Sequence, residues 1–505
     1  MNEPPRRLVS YERRNRVLRT LLESYGVLVN GAFVEPSNGQ YQSIINPANG
    51  KKIVSVANAG NDDVDIAVTA AQTAFQGWAA TTRGERARLL NRIADVLEKE
   101  QDYFARCETL NTGKCLSEAT LQIGICIEQY RYFAAAILTL EDTVKPHENG
   151  GYSLVQREPL GVVALVLPFN APSMLMSWKL APALAAGNTV VIKPASNASI
   201  PVLEIARMCQ EILPPGVVNV VPCSGQVGNH LISHPSVSKI SFTGSSSVGA
   251  EIAATAARNV VPCTLELGGK SAFVLFDDAD RKRALQYVGI GILSSAGQVC
   301  VGSSRLLVQE TIYESFLEEL AAMFSNVRVG DPLLADTQMG PVIDEKQLNN
   351  ILRYVEIGVA EGATLRSGGN RLSGADYDGG FYLAPTILAD VQTGARCAQE
   401  EIFGPVLVVM PFKDEQDAIR IANDSQYGLG AAVWTRDIYR AHRVSNALQA
   451  GTVWVNDYLY SPYGAPFGGY KKSGLGRELH KMTLDQYSAV KNICFGMSEE
   501  IPPVF

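Results

Sequence analysis

Short β-branched apolar runs alternate with longer helical segments between residues 161 and 269. The runs are GVVALVLP (161–168), TVVIKP (189–194), VVNVVP (217–222), SKISFTG (238–244) and TLELGG (264–269). Continuous apolar runs that bracket helices are typical of a parallel sheet covered on both faces. The pattern therefore predicts a nucleotide-binding type of α/β architecture, although a fold alone does not define an activity.

The flanking regions follow other periods. Residues 27–57 alternate short apolar runs with turn signals, which predicts a small hairpin, and apolar positions three and four apart predict helices over 62–78 and 82–104. The second half repeats the α/β theme with the strands SRLLVQE, YLAPTIL, PVLVVMPF and AGTVWVN and a helix over 313–324. Two α/β domains in one chain place a site in the crevice between them.

Composition narrows the class of protein. A chain of 505 residues predicts two or three domains, and 46% hydrophobic with 19% charged residues is typical of a globular enzyme. A net charge of −7 argues against nucleic acid as the main partner, because phosphate binding favours a basic face. The apolar runs fall short of the roughly 18 residues that a membrane helix needs, so no membrane partner is expected.

The nine cysteines are scattered without close pairs or a Cys-x-x-Cys motif, and no signal-peptide pattern opens the sequence. This favours free thiols in a reducing compartment, and the cytoplasm is the expected location. No metal site is expected, because His230 is followed by Leu231 and the HExxH pattern is absent.

Six arginines lie in the first twenty residues. Organelle presequences are usually poor in acids and rich in serine, whereas this segment also carries Glu3 and Glu12. A solvated arm or a first helix is the expected structure. The arginines are Arg6, Arg7, Arg13, Arg14, Arg16 and Arg19.

The loop TGSSSVG at 243–249 is the first candidate ligand site. Gly244 and Gly249 stand five apart, and small hydroxyl residues fill the loop before a helical stretch. Backbone N–H groups at such a helix start can hold a pyrophosphate. The loop is neither a Walker A motif, since Ala250 and Glu251 follow it, nor a GxGxxG fingerprint. Alone it leaves the ligand open.

Two reactive side chains lie in similarly small-residue surroundings. Glu266 ends an apolar strand beside two glycines, and Cys300 follows a Gly-Gln pair. Each has an ordinary interpretation when taken alone: a lone cysteine is commonly a small buried hydrophobe, and a strand-end glutamate is commonly ion-paired.

Seven motifs in order resemble those of the aldehyde dehydrogenase superfamily, and the resemblance extends from about residue 27 to 495. They are PFN (168–170), KPAS (193–196), FTGS (242–245), ELGGK (266–270), GQVC (297–300), EEIFGP (400–405) and PFGGYKKSGLGRE (466–478).

The resemblance implies a three-part fold. It comprises a Rossmann-like cofactor domain (1–138 and 160–267), an α/β catalytic domain (268–472) and a small β oligomerisation element (139–159 and 483–505). Because open edge strands invite pairing, a homodimer or homotetramer is expected.

The resemblance also implies the chemistry. Cys300 is the nucleophile that forms a thiohemiacetal and then a thioester. Asn170 and the Cys300 backbone N–H stabilise the oxyanion, and Glu266 is the general base. Relatives that transfer the acyl group to coenzyme A tend to lack this glutamate, so its presence favours a free carboxylic acid as product.

NAD or NADP is the implied cofactor, and either is plausible from the sequence. Many NAD-preferring members carry acids where Ser196 and Ser247 stand here. A carboxylate repels a 2′-phosphate, whereas serine beside Lys193 tolerates one, which suggests dual or NADP-leaning use. The implied cofactor-binding set is Lys193, Ser196, Thr243, Gly244, Ser245, Gly249, Leu267, Glu401 and Phe403.

The implied substrate pocket looks roomy and apolar, which favours an aromatic or medium-chain aldehyde. Trp178 is typical of members that take apolar aldehydes, and Ala171 replaces a bulky aromatic. A semialdehyde dehydrogenase for small polar aldehydes is the alternative. The full set is Ala171, Met174, Leu175, Trp178, Val299, Val301, Tyr458 and Phe467, with Tyr460 and Tyr463 expected nearby.

Two other classes compete. A cysteine hydrolase would need a histidine base, and none belongs to the motif set. A binding protein that kept the fold and lost activity is disfavoured because Asn170, Glu266 and Cys300 are all present. Phe169 stands where the PFN motif usually has tryptophan, a change expected to leave Asn170 unaffected.

Overall fold

The computed structural model describes residues 19–148 and 150–497, and within these ranges the chain forms 23 strands and 15 α-helices. The strands are β1 (Ser24–Tyr25), β2 (Val27–Val29), β3 (Ala32–Val34), β4 (Tyr41–Ile45), β5 (Lys52–Ala57), β6 (Thr143–Pro146), β7 (Tyr152–Pro159), β8 (Val162–Val166), β9 (Thr189–Lys193), β10 (Val218–Val220), β11 (Val237–Thr243), β12 (Cys263–Glu266), β13 (Ala272–Leu275), β14 (Arg305–Gln309), β15 (Thr364–Ser367), β16 (Thr386–Ala389), β17 (Val406–Phe412), β18 (Tyr427–Gly428), β19 (Gly430–Trp434), β20 (Thr452–Val455), β21 (Tyr470–Lys471), β22 (Gly474–Leu475) and β23 (Ser488–Phe495). The helices are α1 (Asn61–Ala79), α2 (Arg83–Lys99), α3 (Gln101–Thr112), α4 (Leu116–Leu138), α5 (Pro172–Ala186), α6 (Ile200–Gln210), α7 (Gly225–Ser233), α8 (Ser246–Asn259), α9 (Arg281–Leu293), α10 (Tyr313–Ser325), α11 (Glu345–Ala360), α12 (Arg396–Gln399), α13 (Glu415–Asn423), α14 (Ile438–Ala447) and α15 (Thr483–Gln486).

The first large sheet has eight strands in the order β22-β12-β11-β8-β9-β10-β2-β3. The five apolar runs predicted from the sequence form its parallel centre, β8 to β12. The hairpin β2–β3 adds antiparallel strands at one edge, and its turn at Asn30 and Gly31 takes the left-handed backbone that short hairpin turns require. At the other edge, β22 returns from far along the chain to pair with β12.

The second large sheet has seven strands in the order β15-β16-β17-β14-β13-β19-β20. Its pairs are parallel except for β15, which pairs antiparallel with β16. Every strand of this sheet lies between residues 272 and 455.

Both large sheets are buried on their two faces, because successive side chains of a strand point to opposite sides. In β8, Val163 and Leu165 join one apolar cluster and Val162 and Ala164 join another. In the second sheet the strand β13 divides its residues between two further clusters in the same way. This explains why the strand runs are continuously apolar.

Residues 139–159 and 483–497 supply a smaller three-stranded sheet in the order β23-β7-β6. Eight residue pairs join β23 to β7, from Ser488 opposite Pro159 to Phe495 opposite Tyr152. Strand β6 is exposed throughout, and most of β23 is exposed as well.

The helix expected over 82–104 is instead two helices. Glu100 has non-helical dihedrals of φ −115° and ψ 25°, so α2 ends at Lys99 and α3 begins at Gln101. The Glu100 carboxylate accepts a hydrogen bond from Arg19 Nε at 2.7 Å. Buried Leu97 and Phe104 lie seven residues apart, so the apolar period continues across the break and conceals it.

Of the arginine-rich beginning of the chain, Arg19 lies in the described ranges, where it also pairs with Glu211. The prediction for residues 1–18 falls outside them. Within the described ranges no helix is long and apolar enough to cross a membrane. All nine cysteines fall in these ranges, and each is a free thiol.

Candidate active site

Cys300 lies in a loop between α9 and β14 whose backbone turns in an unusual direction. Ser295, Ala296 and Gly297 have φ values of 48°, 52° and 74°, in the left-handed region. Only glycine fits at the third position, because a Cβ there would lie 2.1 Å from the Gly404 carbonyl oxygen. The turn thus brings the cysteine loop against the segment that carries Glu401 and Phe403.

Asn170 follows β8 and directly precedes the start of α5. Its Nδ2 atom donates a hydrogen bond to the Gln298 carbonyl oxygen at 2.9 Å. Because Gln298 lies two residues before Cys300 in sequence, this bond ties the Asn170 amide to the cysteine loop. Nδ2 carries two N–H groups, so a second donor is left for a substrate oxygen. Asn170 and Cys300 line the same cleft.

Glu266 ends β12 and is 3% exposed, and neither of its carboxylate oxygens has a hydrogen-bond partner among the described residues. Burial, and then the charge of Glu478, raise the pKa of Glu266 well above its ordinary value, while Lys179 and Arg477 act in the opposite direction. Burying an unpartnered carboxyl costs free energy, and such groups occur preferentially at sites with a function such as proton transfer.

A fully buried ion pair stands behind this carboxyl. Lys179 Nζ, on α5, donates to Glu478 Oε1 at 2.5 Å, and Glu478 Oε2 has no partner among the described residues. The sequence motifs predicted no role for either Lys179 or Glu478. The available signal was Lys179 itself, a charged residue inside a helix whose neighbours are almost all apolar and buried.

Burial, with the charges of Glu401 and Glu266, raises the pKa of the Cys300 thiol to about 12. The backbone N–H groups of Val301 and Cys300 act in the opposite direction. At neutral pH the thiol therefore keeps its proton in this arrangement. Attack on a carbonyl requires a group that takes the proton or a charge that lowers the thiol pKa.

The cleft has a volume of about 510 Å³ and opens beyond the carboxyl ends of β8, β9 and β11. This is where open α/β sheets bind ligands. Seven of the nine predicted cofactor residues line it. They are Lys193, Thr243, Gly244, Ser245, Leu267, Glu401 and Phe403.

The other two predicted cofactor residues, Ser196 and Gly249, are not part of the cleft wall. Ser196 Oγ donates to the Cys223 carbonyl oxygen at 3.1 Å. Gly249 lies beneath the wall, where a Cβ would come within 2.4 Å of the Leu267 side chain. Its absence of a side chain lets α8 approach β12 closely, which is an indirect role.

The residues at the start of α8 fit an anionic ligand such as a pyrophosphate. Ser245 is the N-cap with extended dihedrals, and the first turn of this 14-residue helix holds no acidic residue. Its first N–H groups lack partners within the helix, and the helix dipole favours negative charge there. Lys193, across the cleft, donates to the Pro194 carbonyl oxygen, and burial lowers its pKa.

Glu401 and Phe403 face the cleft near Cys300. Glu401 Oε1 accepts a hydrogen bond from the Gly269 backbone N–H at 3.1 Å, and burial raises the pKa of Glu401 to about 7. Phe403 is held at φ 58° and meets the Phe169 ring edge-on at 5.7 Å. Gln347, which the sequence did not single out, also lines the cleft and donates to the Phe403 carbonyl oxygen.

The eight predicted substrate residues do not line the cofactor cleft; they belong to, or pack against, one larger apolar cluster that Cys300 also contacts. Trp178 and Phe467 contact each other with ring centroids 5.1 Å apart, and the Tyr458 hydroxyl donates to the Val301 carbonyl oxygen. Met174, Val299 and Cys300 itself pack against the cluster as half-buried residues. Of the eight predicted residues, those that are buried in the cluster are Ala171, Leu175, Trp178, Val301, Tyr458 and Phe467.

Tyr460 and Tyr463 do not join this cluster, since they are 68% and 55% exposed. Within the described ranges no group of three His, Cys, Asp or Glu side chains is arranged to hold a metal ion.

Comparison with known proteins agrees with this architecture. Residues 33–493 match the model of the aldehyde dehydrogenase family. Acetaldehyde dehydrogenase 2 of Cupriavidus necator is 42% identical over 485 residues, which cover 94% of this chain and 96% of that protein.

Solved structures of a betaine aldehyde dehydrogenase from Staphylococcus aureus in complex with NAD+ are similar in fold. One is 37% identical with a TM-score of 0.93, covering 95% of this chain and 96% of the other. A second has a TM-score of 0.94 at 37% identity, covering 97% and 98%.

The fold and the cleft define a nicotinamide-dependent oxidoreductase acting on aldehydes. The chain belongs to the aldehyde dehydrogenase family. The family and the α/β fold predicted from the seven motifs are confirmed, as is the use of a nicotinamide cofactor.

Proposed function

We propose that this enzyme oxidises an apolar aldehyde, aromatic or medium-chain, to the free carboxylic acid with Cys300 as nucleophile. The observation that carries the proposal is the position of Cys300, which lines the cofactor cleft and packs against the apolar cluster. A carbonyl carbon held at the sulfur thereby has a hydride acceptor on one side and an apolar lining on the other.

The first step is addition of the Cys300 sulfur to the aldehyde carbon. The thiol proton passes to the Glu266 carboxylate and from there to solvent, which frees Glu266 for the later step, and the carbonyl oxygen becomes an oxyanion. The second Nδ2–H of Asn170 and the Cys300 backbone N–H stabilise that charge, each contributing on the order of 3 kcal/mol in a site shielded from water. The product is a thiohemiacetal.

A bound nicotinamide supplies the hydride acceptor that turns the thiohemiacetal into a thioester. Of the residues that line the cleft, Ser245 at the start of α8 would hold the pyrophosphate, Lys193 would reach the adenosine ribose and Glu401 would accept hydrogen bonds from the nicotinamide ribose. Phe403 would pack beside the nicotinamide ring.

Glu266 then removes a proton from the water that attacks the thioester. Its high proton affinity suits this task, because a base with an ordinary carboxylate pKa accepts a proton only weakly at neutral pH. Glu478 and Lys179 stand beside it as the nearest buried charges. Cys300 leaves as a thiolate and the carboxylic acid is released.

The uncharged character of the apolar cluster favours an apolar aldehyde over a semialdehyde. The six buried residues of the predicted substrate lining are all uncharged, so the carboxylate of a small semialdehyde would lose hydration there without gaining a partner among them. The similar proteins are named for acetaldehyde and betaine aldehyde, a small and a cationic substrate. Both compounds therefore belong in the test panel.

Acceptance of NADP is the second part of the proposal. Serines stand at 196 and 247, and the charges acting on Lys193 include no carboxylate from the described residues. A 2′-phosphate would thus meet a lysine without an opposing acid. Titration of both cofactors with Ser196→Glu as the comparison tests this point: the variant should lose NADP and keep NAD. An inactive wild type with NADP would remove the idea.

We also propose the division into a cofactor domain (1–138 and 160–267), a catalytic domain (268–472) and an oligomerisation element (139–159 and 483–505), with assembly as a dimer or tetramer. The sheets support the division, since their strands fall in these ranges apart from β22. A cytoplasmic location is proposed from the nine free thiols, which are typical of a reducing compartment.

The deciding experiment follows reduced nicotinamide by absorbance for wild type and Cys300→Ala. The panel holds benzaldehyde, phenylacetaldehyde, hexanal, acetaldehyde, betaine aldehyde and succinic semialdehyde, each with NAD+ and NADP+. We expect turnover that requires Cys300 and has its highest kcat/KM with the apolar aldehydes. Preference for betaine aldehyde or succinic semialdehyde would overturn the substrate class and keep the mechanism.

A further inference from the structure

The left-handed turn before Cys300 needs an external support. Ser295 and Ala296 are not glycines, and each left-handed non-glycine residue costs on the order of 1–2 kcal/mol. Such strain persists only where the surroundings hold the backbone in place, and it is concentrated at functional sites. The question is which groups hold this turn.

The support is a carboxylate from a distant helix. Glu118, in the first turn of α4, lies 177 residues away from Ser295 in sequence. Glu118 Oε2 accepts the Ser295 backbone N–H at 2.9 Å, and Glu118 Oε1 accepts the Ser295 hydroxyl in a short hydrogen bond. Both oxygens of one carboxylate therefore grip a single strained residue.

From Ser295 the hydrogen bonds continue to the oxyanion donor. Gln298 Nε2 donates to the Ser295 carbonyl oxygen at 2.9 Å, and Gln298 Oε1 accepts the Ile343 backbone N–H at 3.0 Å. The Gln298 carbonyl oxygen in turn accepts from Asn170 Nδ2. The orientation of Asn170 is thus linked to the turn that Glu118 holds.

A second set of hydrogen bonds leads from Glu118 to the start of α5, close to Asn170 in sequence. Gln122 Nε2 donates to Glu118 Oε1 at 3.1 Å, and Gln122 Oε1 accepts from Lys114. Lys114 Nζ also donates to Glu108 Oε1 at 2.9 Å in a fully buried ion pair. Glu108 Oε2 accepts the Ser173 hydroxyl at 2.6 Å, three residues beyond Asn170. These hydrogen bonds, together with the short chain segment from Asn170 to Ser173, therefore link Glu118 to the start of α5 from both sides.

We propose that Glu118 is a positioning residue that sets the geometry of both Cys300 and Asn170 through the turn at Ser295. The inference rests on the proposed function. Glu118 itself is not part of the cleft wall, so it acts through other residues and touches neither substrate nor cofactor. Loss of its carboxylate lets the strained turn relax and moves the sulfur and the amide relative to each other.

The test compares Glu118→Ala, Glu118→Gln and Glu98→Ala. Glu98 is a matched control, because its carboxylate is 58% exposed and makes an ion pair with Arg131 on the surface. A misplacement of about 1 Å in a reacting group costs up to about 100-fold, so we expect kcat of Glu118→Ala to fall 10- to 100-fold with cofactor affinity unchanged. Glu118→Gln retains an acceptor for the Ser295 N–H and should recover part of the loss.

A second readout reports on the thiol without turnover. Iodoacetamide labelling of Cys300, followed by peptide mass spectrometry, should become faster in Glu118→Ala, because a relaxed loop exposes the sulfur. A fall in melting temperature with unchanged kcat and labelling would show a merely structural role and overturn the inference. A wild type that is inactive on every aldehyde would overturn the proposed function instead. If Cys300 of Glu118→Ala were then also labelled at the wild-type rate, the inference would be overturned as well.

Discussion

At the scale of single residues, burial raises the proton affinity of three groups around the cleft. The groups that lower the pKa again differ among the three. At Cys300 they are backbone N–H groups. At Glu266 they are Lys179 and Arg477, and at Glu401 they are the Gly269 N–H and Lys270. Because the three groups have different roles in the proposed reaction, changes to them should affect different steps, such as thioester hydrolysis for Glu266 and cofactor binding for Glu401.

Glu266→Gln should separate the two halves of the reaction. Glutamine cannot accept the proton of the attacking water, so thioester hydrolysis should slow by about 10²- to 10⁴-fold. Hydride transfer in the first turnover remains possible. Stopped-flow absorbance should show a burst of about one reduced cofactor per active site, after which turnover nearly stops. Steady turnover at the wild-type rate would assign the base to another group.

Glu401 predicts a pH dependence of cofactor binding. Its pKa is raised to about 7, so the carboxylate gains a proton as the pH falls through that value and accepts hydrogen bonds less well. The Kd for NAD+ should therefore increase between about pH 8 and pH 6, as measured by calorimetry. Glu401→Gln should bind more weakly and show a flat profile over this range. A wild type as flat as the variant would contradict the role.

At the scale of elements, α8 and the residues that follow β12 form one wall of the cleft, and Gly249 lets them pack closely. Gly249→Ala would place a Cβ 2.4 Å from Leu267, and overpacking of this kind costs about 1–3 kcal/mol. We expect weaker cofactor binding and a lower melting temperature. Gly77→Ala is the matched control, because Gly77 lies in α1 with open space around its Cβ position. Equal behaviour of the two variants would contradict the packing role.

Sequence patterns predicted the existence of helices and strands more reliably than the residues at which they end. The five apolar runs became parallel strands because a sheet buried on both faces needs continuous apolar residues. The break at Glu100 was missed because an ion pair with Arg19, not the apolar period, accompanies it. The adjacency of β22 to β12 was also invisible, since a two-residue strand has no period.

The motifs supplied many of the residues that line the cleft but not the residues that support them. Glu118, which supports the cysteine loop, and Gln347, which lines the cleft, both lie outside the seven motifs. Their contacts join residues far apart in sequence, which periodicity cannot register. Ser196, a predicted cofactor residue, donates its hydroxyl to the Cys223 carbonyl oxygen, and its contact with the cofactor stays a prediction.

At the scale of the whole molecule, the sheet β23-β7-β6 exposes apolar side chains that a second copy of the chain would cover. Val490, in β23, is 65% exposed, and Met497 just beyond it is 66% exposed. Both outer strands also present free edges within the described ranges. These features support assembly through this sheet.

Val490→Lys should weaken that assembly by placing a charge in the contact. Light scattering after size exclusion should show the wild type as a dimer or tetramer and the variant shifted to smaller species at low concentration. Val359→Lys is the control, because Val359 is an exposed valine on α11, away from this sheet. A wild type that is monomeric at micromolar concentration would contradict the proposed assembly.

The antiparallel return of β22 gives the folding of this enzyme an order in time. The strand that carries Glu266 acquires its outer neighbour, and Lys179 acquires Glu478, only after β22 and Glu478 have left the ribosome. Contacts across 299 residues form late, because the intervening chain must first be brought together. A nascent chain that has already built its nucleotide cleft thus still lacks part of the surroundings of its base. The proposed base therefore reaches its final surroundings only after residue 478 has been synthesised, and shorter intermediates leave the outer edge of β12 uncovered.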